Sequence, residues 1–562
     1  MSERSIPMPR KITFCFTTRS TAVLIIVASC LILPLRSSCS QRNAEDQADS
    51  FTPQIFRNQV VEFVRKTAEH PLLAKPTNPP KALDWGEDWR AVVEFYEGGF
   101  LRGKGDAEAP ELTKALGEAT RQALEIQTGI RSEPNLLRQG RFKVSLTNSS
   151  GLSLSMIEYN GQGKELLGDI VPIRYVDKSL IFEKIQAGKQ YLLRAMHPVK
   201  YGFPKKYKAI PGAFEKRLRT IYSASTLLTL MKINDRGRDL EIEKRIPLIA
   251  NFILSMQNLN PNETTYGAFH YSYDLETDTK EPRFVVGTAS KTIFTLLELD
   301  RRTQDPIYLE AAKRAGDWLL TMVRPDGMVM SQTYLKEGTW ISPEKYSFLY
   351  NGQVLSALSR LFRVTQDKKY YDAAQRIAQQ IVAKASAQNY YVGDDFRPPN
   401  PVSTSWVMMS LLDFTKVNSE ELYRQTILNA SEKILERQRN DPFDILSYGG
   451  WEYCWASGNG WVNEVLTEVH QTCTENGWGS CERFKTAVVK IIRWLIQNTY
   501  TEENTFFLAH PEGAIGGLIL NPYKEAVRTD AVCHGINGYL AILPYLEDGP
   551  LLTVEEKPLG RN

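Results

Sequence analysis

One ten-residue stretch occurs twice and limits the folds open to this chain. Thr303-Gln304-Asp305-Pro306-Ile307-Tyr308-Leu309-Glu310-Ala311-Ala312 recurs without a gap as Thr365-Gln366-Asp367-Lys368-Lys369-Tyr370-Tyr371-Asp372-Ala373-Ala374, and the Thr-Gln-Asp, Tyr and Ala-Ala positions are identical. Each copy follows a segment of helical apolar period, 288–300 or 353–363, and precedes another, 308–322 or 370–383. The spacing predicts two helices joined by a tight turn. Further first helices are expected to start near Tyr222, Val402, Gly460 and Asp530, which extends the series over 206–550. Helix pairs whose Ala and Leu stripes cannot be buried alone must stack on neighbours, and about six such pairs can close into a ring. The expected fold is mainly α: an (α/α)6-type toroid of helical hairpins preceded by a small α+β domain.

Strand signals precede the repeat. Ala91-Val92-Val93-Glu94-Phe95-Tyr96 reads as a strand, as do 141–147 and 152–159 around Asn148-Ser149-Ser150-Gly151. Helical spacing marks 112–126 and 180–196, and Arg102-Gly103-Lys104-Gly105 reads as a turn rather than an anion cradle. The expected boundaries are a signal peptide or signal anchor over 1–40, a linker with an N-terminal helix over 41–83, the α+β domain over 84–205, the toroid over 206–550 and a tail over 551–562. Basic Arg4, Arg10, Lys11 and Arg19 precede an uncharged apolar run at 21–35. As a helix that run spans about 22 Å, short of a hydrocarbon core of about 30 Å, so cleavage is favoured over anchoring. Val27-Ala28-Ser29-Cys30 also looks like a lipoprotein box. The chain is therefore expected to be exported, either released or held at a membrane by this segment. Cys454, Cys473, Cys481 and Cys533 would then meet an oxidising compartment, where Cys473 and Cys481 would close a short loop rich in turn residues.

Composition and motifs exclude several functions. The 562 residues carry 68 Lys plus Arg against 65 Asp plus Glu, and a net charge of +3 is too small for a polyanion-binding surface. Nucleic acid is not an expected partner. The sequence holds no Walker loop, HExxH, CxxC or GxSxG, so no cofactor and no metal site are expected.

The Thr-Gln-Asp-x-x-Tyr-x-acid-Ala-Ala turn after a leucine-rich helix resembles that of six-hairpin glycosidases and related sugar epimerases. Arg324-Pro325-Asp326-Gly327 at the end of the second helix is similar too. The resemblance rests on scaffold residues; it implies the toroid fold and, by analogy, sugar chemistry. Terpene cyclases and protein prenyltransferases also use helical toroids, but the chain lacks their DDxxD or DxDD run.

Connections alternate in length, and the long ones, 258–286, 324–348, 389–401, 440–459 and 498–529, are expected to share one rim and form a cleft. They are rich in aromatic side chains, and Tyr271, Tyr273, Trp340, Trp451, Tyr453 and Trp455 are candidates for stacking on the apolar faces of sugar rings, with His270 and Arg528 as polar partners. Glycosidic hydrolysis needs a proton donor and a second carboxylate. Glu452, between Trp451 and Tyr453, is the candidate donor; Asp395 is the candidate second carboxylate, with Asp274 a further candidate on the same rim. Asp530 and His534, four apart on the last helix, form another constellation in which the acid would orient the imidazole and Arg528 would grip a uronate carboxylate. The leading expectation is an exported glycoside hydrolase acting on a glycan or oligosaccharide. The alternatives are a uronate-sugar epimerase or polysaccharide lyase, with His534 or His270 and a tyrosine moving the proton, and a non-catalytic glycan-binding envelope protein.

Overall fold

The computed structural model describes residues 54–69, 88–97, 100–125, 137, 140–151, 153–159, 162–165, 173, 175–209, 211–442, 447–452, 454–502, 504–505, 508, 510–521 and 524–553. The N-terminal segment expected to direct export, Cys15, Cys30, Cys39 and Tyr453 lie outside the described residues. The chain divides into two compact units, Met1–Tyr96 with Leu101–Leu166, and Glu97–Phe100 with Leu167–Asn562.

The first unit has helix α1 (Gln54–Glu69), strands β1 (Trp89–Glu97) and β2 (Phe100–Ala109), helix α2 (Leu112–Glu125) and strands β3 (Arg141–Asn148), β4 (Ser153–Tyr159) and β5 (Gln162–Glu165). The strands form one sheet in the order β2-β1-β3-β4-β5. Alternation along β3 turns Phe142, Val144 and Leu146 into a core that also takes Val60 and Val64 of α1 and Leu116 and Ala119 of α2. The small α+β fold expected before the ring is present. Arg102-Gly103-Lys104-Gly105 is not a turn, however, but the middle of β2. A Cβ on Gly103 would sit 1.7 Å from the Ala123 carbonyl oxygen, and one on Gly105 would sit 1.8 Å from that of Ala119. The two glycines let α2 lie directly on the strand.

The second unit is a ring. Its inner helices are α4 (Thr220–Asn234), α6 (Val286–Thr303), α8 (Phe348–Thr365), α10 (Pro401–Thr415), α12 (Ala456–Asn476) and α14 (Thr529–Ile542). Its outer helices are α3 (Lys178–Ala195), α5 (Leu240–Ser255), α7 (Pro306–Thr321), α9 (Lys368–Ala387), α11 (Glu421–Leu435) and α13 (Glu482–Gln497). Each inner helix packs on the next, and α14 packs back on α4, so the ring is closed. The sequence follows this division. Helix α10 is buried nearly all round, from Pro401 to Phe414, as an inner helix must be, while α13 buries one stripe, Phe484, Val488, Ile491, Ile492 and Leu495.

The repeated Thr-Gln-Asp is a helix-to-helix turn with one job per residue. The Thr303 hydroxyl donates to the Leu299 carbonyl at 2.8 Å and accepts from the Asp305 amide at 3.2 Å. Gln304 ends α6 in the left-handed region at φ 56°, and Asp305 caps α7 by accepting from the Ile307 amide at 3.0 Å. Thr365, Gln366 and Asp367 repeat all three roles, with Gln366 at φ 57°. In the corresponding turn from α12 to α13, Cys473 and Cys481 form a disulfide.

Helix α3 was expected in the preceding domain, with the toroid starting at 206. It belongs to the ring instead, because Ile181, Ile185 and Leu192 enter the ring's core and the helix packs on α14. A second repeat, silent in sequence, places it. Gly267, Gly327, Gly449 and Gly516 all have φ between 82° and 92°. A Cβ on each would lie 1.9–2.4 Å from a carbonyl oxygen of an outer helix: Arg314 of α7, Arg376 of α9, Lys490 of α13 and Ala187 of α3. Four of the five long connections thus seat a glycine on the next outer helix, and α3 takes the sixth place. The turns within pairs are short, so the N-termini of all six inner helices and the long connections share one rim, as expected.

Gly103→Ala is expected to weaken the first unit by about 1–3 kcal/mol, because its Cβ has no room. Gly117→Ala, on the open side of α2 with nothing within 4 Å, is expected to strengthen the helix by about 0.5–1 kcal/mol. Hydrogen exchange of β2 and α2 in the full chain, read by mass spectrometry, should speed up in the first variant and slow in the second.

Candidate active site

The first two turns of every inner helix line one cavity of about 510 Å³. Tyr222 comes from α4, Thr288 and Lys291 from α6, Tyr350 and Gln353 from α8, Trp406 from α10, Trp461 from α12, and Asp530 and His534 from α14; Tyr271, Arg397, Trp455 and Arg528 enter from the connections. Six helix N-termini therefore converge, and their unpaired amides give the mouth a positive partial charge.

His534 is held by a buried carboxylate. Its Nδ1 lies 2.6 Å from Glu464 Oε2, and Asn537 Nδ2 donates to Glu464 Oε1 at 3.0 Å. Lys232 Nζ stands 3.7 Å from the same oxygen. Burial alone would raise the Glu464 pKa, but the hydrogen bond and charge of His534, with Lys232 and Lys291, bring it down to about 2. An ionised carboxylate only accepts, so Nδ1 carries the hydrogen. In the neutral ring Nε2 then presents a lone pair, fit to take a proton. The indole of Trp461 stands edge-on to the imidazole at 5.0 Å and fixes its plane.

Arg528 is placed by strand pairing, since 524–528 runs antiparallel to 206–208 and hands the chain directly into α14. Its guanidinium binds Asp530 through two bonds of 3.0 and 2.6 Å and donates to the Tyr222 hydroxyl at 3.0 Å. Burial would raise the Asp530 pKa, yet the charge and hydrogen bonds of Arg528 hold it below the usual carboxylate range. The expected roles are thereby redistributed. Asp530 does not orient His534; Glu464 does. Arg528 does not offer a free fork to a carboxylate, because Asp530 fills it.

Lys291 stands against the aromatic wall. Trp406 and Trp461 stack at 4.2 Å between centroids, and the Lys291 ammonium lies 5.0 and 4.5 Å from their rings and 5.3 Å from that of Phe294. Burial pulls its pKa down to about 8.

Of the residues singled out from sequence, Tyr271, Trp455, Arg528, Asp530 and His534 come together here. The guanidinium carbons of Arg219 and Arg283 each lie 4.8 Å from the Tyr271 ring. The expected carboxylate pair does not line the cavity. Glu452 is exposed and paired with Arg439 at 2.6 Å. Asp395 is exposed and accepts from the Tyr346 amide at 2.8 Å, tying its loop to the start of α8. Asp274 accepts from Arg217 at 2.9 Å and from the amides of Glu276 and Thr277, which closes a hairpin turn. Trp451 is core, its indole donating to the Ile434 carbonyl. His270 faces the Glu281 carbonyl and the Phe284 ring, Trp340 packs on Phe284, and Tyr273 binds Lys200 and Asp278. Beside Glu452 the Trp451 ring turns into the core, and the acid is left outside. Glu464, Lys291 and Trp461 were missed because they sit inside helices; a lone charge within Trp461-Val462-Asn463-Glu464-Val465-Leu466 was the available signal.

Glu464 has an ordinary pKa of 4.5 and is held at about 2, so its ionised contacts stabilise the fold above pH 4.5 and are lost as pH falls towards 2. Across that window the unfolding free energy of wild type is expected to drop by about 3 kcal/mol relative to Glu464→Gln, measured by chemical denaturation. A difference independent of pH would mean that no ionised carboxylate holds His534.

No protein-family model and no curated protein sequence matches the chain. Solved structures do match. Cellobiose 2-epimerase from Bacillus thermoamylovorans B4167 superposes with a TM-score of 0.51 at 13% identity, covering 66% of this chain and 99% of its own. A sugar epimerase from a ruminal bacterium gives 0.51 at 12% identity, with 66% and 99% covered, and a D-mannose isomerase gives 0.50 at 13%, with 66% and 98%. At such identities the likeness is one of fold: the chain carries the six-hairpin α/α toroid that these enzymes share.

Proposed function

We propose that the chain is a carbohydrate-active enzyme that moves a proton on a sugar bound at the long-connection rim, in the manner of an epimerase or lyase. The observation that carries this reading is the Glu464–His534 pair opening onto an aromatic-walled cavity. The proton would leave a carbon made acidic by an adjacent carbonyl or carboxyl group, with the electron pair passing to that group's oxygen and the hydrogen to His534 Nε2. The Glu464 carboxylate stabilises the imidazolium so formed. In the ring order α8 stands opposite α14, so Tyr350 faces the sugar from the other side. Burial first, then Tyr271, pushes its phenol up, which keeps it protonated and able to return a hydrogen to the opposite face.

Hydrolysis, the first expectation from sequence, needs two carboxyl groups about 5–9.5 Å apart across the bond. Among the described residues lining the cavity Asp530 is the one carboxylate, and Arg528 keeps it ionised and occupied. The geometry favours proton transfer. Export is part of the proposal and is supported by the Cys473–Cys481 disulfide, since such bonds persist in oxidising compartments; among the described residues no helix is long and apolar enough to cross a membrane.

Incubation with a panel of glycans and uronides in heavy water is expected to place deuterium on a sugar carbon, as an epimerase would, or to form an unsaturated uronate, as a lyase would, followed by mass spectrometry and NMR. His534→Asn should slow that exchange by roughly 100- to 10,000-fold, and Tyr350→Phe should slow it with fold and binding retained. Release of reducing ends with neither carbon-bound deuterium nor an unsaturated uronate would replace this reading with hydrolysis, and binding without any turnover would leave a lectin-like protein.

A further inference from the structure

Among the described residues several charges inside the ring are paired, and Lys291 on its wall is not. Arg360 binds Asp413 at 2.9 and 3.0 Å, Lys232 and His534 share Glu464, and Arg528 takes Asp530. Lys291 lines the cavity among three aromatic rings, and among the described residues no carboxylate lies within 4.0 Å of its ammonium and no acceptor within hydrogen-bond distance. A cation drawn out of water is costly unless something pairs with it.

Polar atoms around Lys291 are unsatisfied as well. Thr288, one turn earlier on α6 and 0% exposed, has a hydroxyl without a partner; Trp461, 3% exposed, has an unpaired indole N–H; and Gln353, 5% exposed, has an unpaired amide oxygen. All three residues line the same cavity. Buried polar groups are paired in more than nine cases out of ten as a rule, so three such atoms lining one cavity, from three inner helices, point to a ligand that completes them. Two hydrogen donors and an ammonium, set at the N-terminal turns of a helix, suit an anion; the amide oxygen suits a neighbouring hydroxyl.

We infer that this wall is the acceptor site for the carboxylate of an acidic sugar, and that Lys291 makes the chain select uronic acids over neutral hexoses. The inference rests on the proposed proton transfer and names the substrate class for it. A carboxylate on Lys291 also supplies what that chemistry requires. Pairing with the ammonium lowers the cost of charge that gathers on the carboxyl oxygens when the adjacent C–H gives up its proton to His534. Arg528 was the residue expected from sequence to recognise a uronate; with its fork closed on Asp530, the open cation is the one on α6. Arg397, on the connection before α10, lines the cavity too and forms no ion pair within 4.0 Å among the described residues, which adds positive charge at the entrance.

The test is a titration of the full chain with methyl glycosides of glucuronic, galacturonic and mannuronic acid, each against its neutral hexose counterpart, by isothermal calorimetry at constant ionic strength. At least one uronide is expected to bind about tenfold or more tightly than its neutral counterpart. Lys291→Met should remove that preference, and Lys291→Arg should keep most of it; a circular dichroism melt shows whether each variant is folded. Equal binding of both members in wild type, or a preference unchanged in folded Lys291→Met, overturns the inference. So does trapping of a keto sugar on Lys291 by borohydride, which would make the amine a nucleophile rather than an anion site. If the preference follows Lys291 while neither carbon-bound deuterium nor an unsaturated uronate is formed, the proton-transfer reading fails and the site stands; if exchange occurs equally on neutral and acidic sugars, the site fails and the chemistry stands.

Discussion

A ring of stacked helix pairs has no free ends, and its closure is the constraint from which the rest of this structure follows. Five pairs lie in order along the chain, but the sixth inner helix, Thr529–Ile542, is not followed by an outer helix among the described residues. Lys178–Ala195, from before the first pair, takes that place. The fit depends on small residues: a Cβ on Gly188 would meet Ile536 at 2.9 Å and Val532 at 3.4 Å. Closure brings Arg528, Asp530 and His534, near the end of the chain, beside Tyr222 and Lys232 near the beginning of the ring. Without it His534 would have its Glu464 partner but no enclosing wall.

Legibility in the sequence followed the range of the interaction. The Thr-Gln-Asp turns could be read because every bond in them is local: Thr303 reaches Leu299 and Asp305, and Asp305 reaches Ile307. The alternation of short and long connections could be read for the same reason. The role of 178–195 could not, since what makes it an outer helix is contact with residues more than three hundred positions away, and its own apolar stripe fits any helix on a sheet. That the glycines at 267, 327, 449 and 516 form one series could not be read, because their flanking residues differ; what they share is a carbonyl oxygen on another helix.

At the candidate site the same limit separates Asp530 from Glu464. An acid four residues before a histidine on one helix is a reasonable partner by spacing, and Asp530 does face the same cavity as His534. Yet Arg528, two residues away and planar, offers two parallel hydrogen bonds, and a fork of that kind outcompetes a single imidazole N–H. His534 is left to the neighbouring inner helix, where Glu464 reaches it. Loop acids flanked by aromatic residues misled for a different reason. Trp451 spends its ring on the core and its indole N–H on Ile434, so Glu452, next in the chain, is turned outward to Arg439.

The inner helices also explain why charge and aromatic surface meet where they do. A helix buried all round has no solvent face on which to keep a charged side chain, so each charge inside the ring must find a partner on another inner helix or face the central opening. Arg360 and Asp413 take the first course across α8 and α10, as do Lys232 and Glu464 across α4 and α12. Lys291 takes the second. Trp406 and Trp461, stacked on each other from α10 and α12, reach across to its ammonium, and a cation held by π faces alone keeps its hydrogen-bonding capacity for something else. The scaffold that closes the ring thus leaves the Lys291 ammonium without a carboxylate among the described residues, in the same cavity as the carboxylate-held imidazole of His534.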